Sequence, residues 1–312
     1  MAAMRCRGEL PWVRAALHAL PALACLVALP ADASVFADVD VRATQDDNVG
    51  RSEKSADIEH DRSAQLAGRV GKAFELGPGT RFSLNGALRA VEFRRFRDLS
   101  EVSAGAGLSL RHKFALGPDA PWVALVADGE FIDSDSYIRD GERYGAGLRV
   151  GTRFGERWSL SATVRRDWRD ADEDDQHLPP NRPVFPGVTA STRGDVFEFE
   201  ATEFTVAADY QFDSGWMVFA SYSFRDGDVV STARPNATIV DAAKAITADA
   251  AFGPGRSAYR LGALTHIGSF GVNYPVSDTV SVECGYEYQL SDADAGIEYD
   301  KNLVSLRLLV AY

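Results

Sequence analysis

The sequence is poor in cysteine and histidine, and short of basic side chains relative to acidic ones. Of 312 residues, three are cysteine and five are histidine, and 33 Lys and Arg stand against 45 Asp and Glu, a formal charge of -12. Phosphate binding needs a basic footprint that this balance does not supply, so no nucleic-acid partner is expected. Beyond residue 33 only Cys284 remains, which excludes an internal disulfide and a cysteine pair for metal or haem. Beyond that residue there is also no apolar run approaching the roughly 18 residues of a spanning helix.

What is present begins at the N-terminus. Arg5, Arg7 and Arg14 precede the apolar stretch "AALHALPALACLVALP", and the small-residue pattern Ala31-Asp32-Ala33 follows. This reads as a signal peptide over 1–33, cleaved before Ser34, with residues 34–312 as one domain. The expected mature chain holds thirty basic and forty-three acidic side chains, so it stays acidic.

From Ser34 onward the dominant signal is alternation with period two. Val35, Ala37, Val39, Val41 and Ala43 share one parity, and Asp38, Asp40 and Arg42 the other. The split returns at 102–114, 144–154 and 280–290, and twelve such segments are predicted: 34–44, 62–76, 81–96, 101–116, 122–133, 142–154, 158–169, 201–212, 216–226, 257–276, 279–291 and 299–312. Every second connection is tight ("GPG", "GPDAP", "GER", "DSG", "SD"), whereas 45–61, 170–200 and 227–256 are long and polar. Short turns on one side and long loops on the other predict an all-β chain, a transmembrane up-and-down antiparallel β-barrel of about 12 strands. Hydrocarbon leaves no partner for open backbone groups, so the sheet must close, with apolar residues outward and polar ones free to face in.

Aromatic residues at strand ends then predict two interfacial girdles: Phe82, Trp122, Trp158, Phe212, Trp216, Tyr274 and Tyr312 beside the tight turns, and Trp168, Phe224 and Tyr259 at the far end. Tyr259, Leu261 and Ala263 differ in parity from Phe270, Val272 and Tyr274, which predicts a bulge between Thr265 and Gly268. Lys72 falls on the outward parity near the end of its segment, where it is expected to snorkel to the interface.

The signal peptide, the twelve segments and the closing "LVSLRLLVAY" together resemble a porin-like Gram-negative outer-membrane β-barrel of an uncharacterised family. The resemblance implies residence in outer-membrane lipid after export, and reading of the last strand by the barrel-assembly machinery during biogenesis. Leu306, Leu308, Val310 and Tyr312 match that assembly pattern, with Tyr where Phe is commonest. "QDDNVGR" after the first segment looks like a recurring segment of uncharacterised porin-like barrels and of barrels attached to export systems.

Chemistry is sparse. His266 with Ser269 is the best candidate for a hydrolase pair, because an imidazole must reach a hydroxyl to activate it; the Asn-Gly that follows His-x-Ser in outer-membrane phospholipases is absent. His112 reads as an interfacial residue, His60 and His177 as loop residues, and no histidine spacing suggests a metal site. "RDADEDD" at 169–175 and Asp46-Asp47-Asn48 offer carboxylate oxygens that would suit calcium, or else plain solvated loop surface. The helix-prone "IVDAAKAITADAAFG" at 239–253 is expected either to fold over or into the barrel mouth or to form a surface helix.

The inward parity is more informative. Arg111, Lys113, Arg149, Arg153 and Arg165 are expected on one wall of the lumen, and Asp38, Asp40, Glu283 and Glu287 about half the circumference away. Such walls either set a transverse field for dipolar solutes or pair across a closed interior. The expected function is a narrow porin-like channel for small polar solutes, neither an enzyme nor a cofactor protein. The alternative is a non-conducting barrel serving export, adhesion or envelope assembly, with a membrane hydrolase third.

Overall fold

The computed structural model describes residues 34–171 and 196–312. The signal-peptide reading, His177 and most of the 169–175 acidic run lie outside the described residues. Twelve long antiparallel strands form the wall: β1 Ser34–Asp46, β2 Asp61–Gly77, β3 Thr80–Phe93, β4 Glu101–Lys113, β5 Trp122–Ser134, β6 Gly141–Phe154, β7 Trp158–Ala171, β8 Phe199–Gln211, β9 Met217–Ala233, β11 Ser257–Pro275, β12 Val280–Ala293 and β13 Ile297–Ala311. A short helix, α1 Ala237–Ala242, and a four-residue strand, β10 Ala245–Ala248, stand between β9 and β11.

Each wall strand pairs with its sequence neighbours, and β1 pairs with β13 through Asp38↔Ala311 to Asp46↔Leu303, which closes the sheet. Closure is completed by reciprocal backbone bonds between Ala37 and Tyr312, at 3.1 and 2.8 Å. Among the described residues the wall has no open edge to meet lipid, as an all-β solution in hydrocarbon requires.

The outward parity carries the exposed large hydrophobics, among them Val41, Leu66, Leu88, Leu108, Leu125, Leu148, Val164, Phe204, Phe270 and Leu306. In water this belt would be costly; in lipid each such side chain regains roughly 1.5–3 kcal/mol. At the tight-turn end, which faces the periplasm in barrels of this architecture, aromatic rings cluster in pairs: Phe74 with Phe82, Trp158 with Tyr210, and Trp216 with Tyr274.

Three details depart from the sequence reading. Trp122 is not part of the girdle: its ring covers Gly151, where a Cβ would collide with it, and lies beneath the guanidinium groups of Arg111 and Arg149 at 4.3 and 5.6 Å. Nor is Tyr259, which is 1% exposed within an apolar cluster. The bulge expected at 265–268 is absent, since β11 keeps one register from Ser257↔Ala233 to Asn273↔Met217; the register shift lies instead at Glu75/Gly77, beside the β2–β3 turn. Tyr259, Leu261 and Ala263 therefore share the parity of Thr265 and Ile267, and their apolar character has another cause, described next.

Candidate functional site

The segment 228–262 closes over the loop end of the barrel. Past Gly227, where a Cβ would collide with Ala201, β9 and β11 continue as a paired extension beyond the wall. β10 adds to the other edge of that extension, Ala245↔Arg260 to Ala248↔Ser257. Asn236 caps α1 by accepting from Ile239 N, but the helix-prone stretch turns into strand after Ala242 because pairing with β11 outweighs its propensity. One face of the extension packs Val229, Ile246, Tyr259 and Leu261 against Ala293, Ile297 and Tyr299; another set joins Val230, Ala245 and Ala258 to Phe197 and Ala171. This is why the upper part of β11 is apolar on an inward parity: it is the core of a lid.

Polar contacts fasten the lid to several loops. Thr232 N donates to Gly50 O at 2.7 Å, and Ser52 Oγ donates to Thr232 O at 2.7 Å. Arg256 donates to Asp57 O and to Glu59, at 2.9 and 2.6 Å. Arg139 holds Asp249 through two bonds, and the Phe252 ring stacks on Phe96 with centroids 4.7 Å apart.

Below the lid lies a cavity of about 560 Å³, bounded by loop residues such as Val49, Arg51 and Phe252 and by lumen side chains from most of the strands. One side of the lumen is an ion-pair ladder. Arg89 of β3 meets Glu101 of β4 at 3.0 Å and Glu130 of β5 at 3.4 Å; Arg143 of β6 bridges Glu130 and Asp167 of β7 at 3.9 and 3.6 Å. Arg165 then bonds Asp167 at 2.9 Å and Asp128 at 2.7 Å. Gly145 makes this possible, since any Cβ there would collide with the Arg165 guanidinium.

The residues expected on the two lumen walls fall into three groups. Arg165 joins the ladder. Arg111 and Arg149 stack on Trp122, Arg153 donates to Glu156 O at 2.9 Å, and Lys113 ends β4, so this set crowds the tight-turn end. Of the acidic set, Asp38 pairs with Arg69 at 2.9 Å, Asp40 with Arg307, and Glu283 with Arg307 at 3.9 Å; Glu287 accepts from Gln289 at 2.6 Å. The two sets stand on β4, β6 and β7 and on β1 and β12, opposite one another in the closed strand order. The ladder residues Arg89, Glu101, Glu130, Arg143 and Asp167 are not among the residues that the sequence singles out, although all five sit on the inward parity of alternating segments.

The remaining candidates are dispersed. His266 and Ser269 lie on opposite faces of β11: His266 Nδ1 meets Tyr222 Oη on the outer surface at 2.7 Å, and Ser269 Oγ meets Ser221 Oγ at 2.6 Å. No hydrolase pair is assembled there. His112 Nδ1 lies 2.9 Å from Thr80 Oγ1 beside Phe114. Asp46 is bound to Lys301 at 2.6 Å, and Asp47 to Asn302 at 2.7 Å, so these carboxylates fasten β1 to β13. Leu306, Leu308 and Tyr312 are exposed on the outward parity with Val310.

A closed twelve-stranded wall, apolar outside and charged inside, defines a transmembrane β-barrel. No protein-family model and no curated protein matches the chain. Among solved structures, an outer-membrane channel from Pseudomonas putida F1 superposes on 91% of this chain and 97% of its own, with a TM-score of 0.53 and 12% identity. The NanC porin superposes on 87% of this chain and 98% of its own at TM-score 0.44 and 10% identity. The KdgM porin does so on 88% and 99%, at 0.39 and 9%. At such identities the likeness is one of fold, and it is the first of these that carries it.

Proposed function

We propose that the chain is a narrow, gated channel for small polar solutes in the outer membrane. The observation that supports this is the lumen: charged side chains surround an unfilled cavity instead of an apolar packed core. Twelve strands fall between eight, whose interior side chains fill, and sixteen, which leave an aqueous pore. Loops then decide conduction, and the lid makes conduction conditional. The basic residues Arg111, Lys113, Arg149 and Arg153 set a field toward Asp38, Glu283 and Glu287 across the periplasmic part of the path. Export follows from residues 1–33 acting as a signal peptide, and insertion from the C-terminal strand engaging the assembly machinery.

A second reading, a non-conducting barrel, is favoured by one specific observation: the lid is packed through apolar clusters as well as ion pairs. Single-channel recording in planar bilayers separates the two. The channel reading expects discrete conductance steps, larger when the lid is unfastened and altered when Arg149 and Arg153 are replaced by alanine. Silence in the wild type and in the lid and Arg149/Arg153 variants would leave the non-conducting barrel.

A further inference from the structure

The cavity under the lid holds more positive charge than its own carboxylates neutralise. Asp46 is taken by Lys301, Glu101 by Arg89, Asp167 by Arg143 and Arg165, and Asp228 by Lys244 and Arg260. Among the described residues this leaves Arg51, Arg169 and Arg225 facing the cavity with no carboxylate oxygen within 4.0 Å. Glu203, the register partner of Arg225, accepts from Thr205 Oγ1 at 2.9 Å and attracts Arg225 from beyond 4.0 Å, so it offsets that charge only in part.

The guanidinium groups of Arg169 and Arg225 are positioned by neutral contacts, and Arg51 by its backbone. Arg169 Nη2 donates to Arg139 O at 2.5 Å, while its Nε is buried without a partner. Arg225 donates to Asp228 O at 3.0 Å and lies over the Phe199 ring at 5.6 Å. Arg51 is held at φ +50°, a conformation uncommon for a non-glycine residue, with its N bonded to Asn48 O at 3.0 Å and the neighbouring Gly50 O bonded to the lid. It repels both Arg225 and Lys301.

We propose that Arg51, Arg169 and Arg225 form a binding site, directly beneath the lid, for small organic anions bearing carboxylate or phosphate groups. Guanidinium forks recognise both oxyanions through paired N–H bonds, and about 560 Å³ lies within the roughly 300–1,000 Å³ range of small-ligand pockets. The site deepens the channel reading and rests on it for the ligand's route. The net charge of -12 would repel anions at long range, so capture is the work of these three residues.

The test uses the full chain refolded in detergent and confirmed as a heat-modifiable barrel. Calorimetry with citrate and, separately, inorganic phosphate is expected to show saturable, salt-sensitive binding, with sucrose as an inert control. The two anions distinguish a carboxylate from a phosphate ligand. Affinity is expected to fall at least tenfold in the Arg51→Gln/Arg169→Gln/Arg225→Gln variant, and in Arg51→Gln alone should the triple variant fail to fold. Binding of neither anion, or undiminished binding in the variants, overturns the site. In bilayers under a KCl gradient, the wild type is expected to prefer chloride over potassium and the variant to lose that preference; cation preference in the wild type also overturns it. Absence of conductance with anion binding intact would instead overturn the channel reading and leave the site standing.

Discussion

The guanidinium of Arg139 grips the carboxylate of Asp249 with two hydrogen bonds, Nη1 to Oδ1 at 3.1 Å and Nη2 to Oδ2 at 2.6 Å, and that carboxylate is 0% exposed. Asp249 Oδ2 also accepts from Thr232 Oγ1 at 2.7 Å, and Oδ1 from Ala251 N at 3.2 Å. One side chain thus ties the lid turn to the β5–β6 loop and to the β9 extension. Removing one member of a buried pair costs about 3–5 kcal/mol, because the partner is left without its counter-charge. Asp249→Ala is therefore expected to loosen the lid without unfolding the wall. Limited proteolysis should show new cleavage within 234–256, and single-channel recording a higher open probability. An equally protected lid with unchanged conductance would mean that the apolar clusters alone hold it.

Asp135, in the β5–β6 loop outside the membrane-spanning strands, has its carboxyl pushed above the usual carboxylate range, first by partial burial and then by Asp98, Asp133 and Glu92. A raised carboxyl favours the folded loop fully below the ordinary carboxylate pKa, and that contribution is lost as pH rises through the folded value. At neutral pH the loop therefore bears the cost of an ionised Asp135. Asp135→Asn is expected to increase amide protection in 94–100 and 134–140 at pH 7 and to change little near pH 3. A gain of equal size at both pH values would rule out charge as the cause.

Gly145 leaves the space that the Arg165 guanidinium fills. Gly145→Ala would displace the far end of a flexible side chain, so assembly is expected to survive at nearly normal yield. The pairs to Asp128 and Asp167 would not, and Asp167 would be left with Arg143 alone. Under a salt gradient the reversal potential should shift toward cation preference, since two lumen carboxylates lose a guanidinium partner. An unchanged potential would show that the ladder lies off the ion path.

Most of the wall was legible in the sequence because alternation with period two survives wherever lipid faces one side and a wet lumen the other. Val102, Ala104, Ala106, Leu108 and Leu110 need no tertiary knowledge to be placed. The lid was not legible for the opposite reason. Tyr259 and Leu261 are apolar on an inward parity because they pack beneath a second layer, and a pattern rule reads that as a bulge. Trp122 was misplaced for another reason: an aromatic at a strand end suits a girdle, but this one shares the inward parity of Asp128 and Glu130, where Arg111 and Arg149 stack on it. The inward charges were readable singly, whereas their pairing depends on register across neighbouring strands, which alternation does not carry.

Tyr312 combines two roles that one substitution can separate. Its backbone closes the barrel by exchanging bonds with Ala37, and the residue is 78% exposed, on the outward parity in line with Leu306, Leu308 and Val310. Tyr312→Asp keeps both backbone bonds but puts a charge at the interface and erases the aromatic end of the strand. Deleting Tyr312 removes both. If the seam alone matters, only the deletion should lower the yield of heat-modifiable barrel in the outer membrane. If the ring is part of a signal read during assembly, both variants should fall by a comparable factor, while chain refolded in detergent without any assembly machinery should accept the Asp variant well. Normal yield of both variants in cells would remove the assembly role from these last residues.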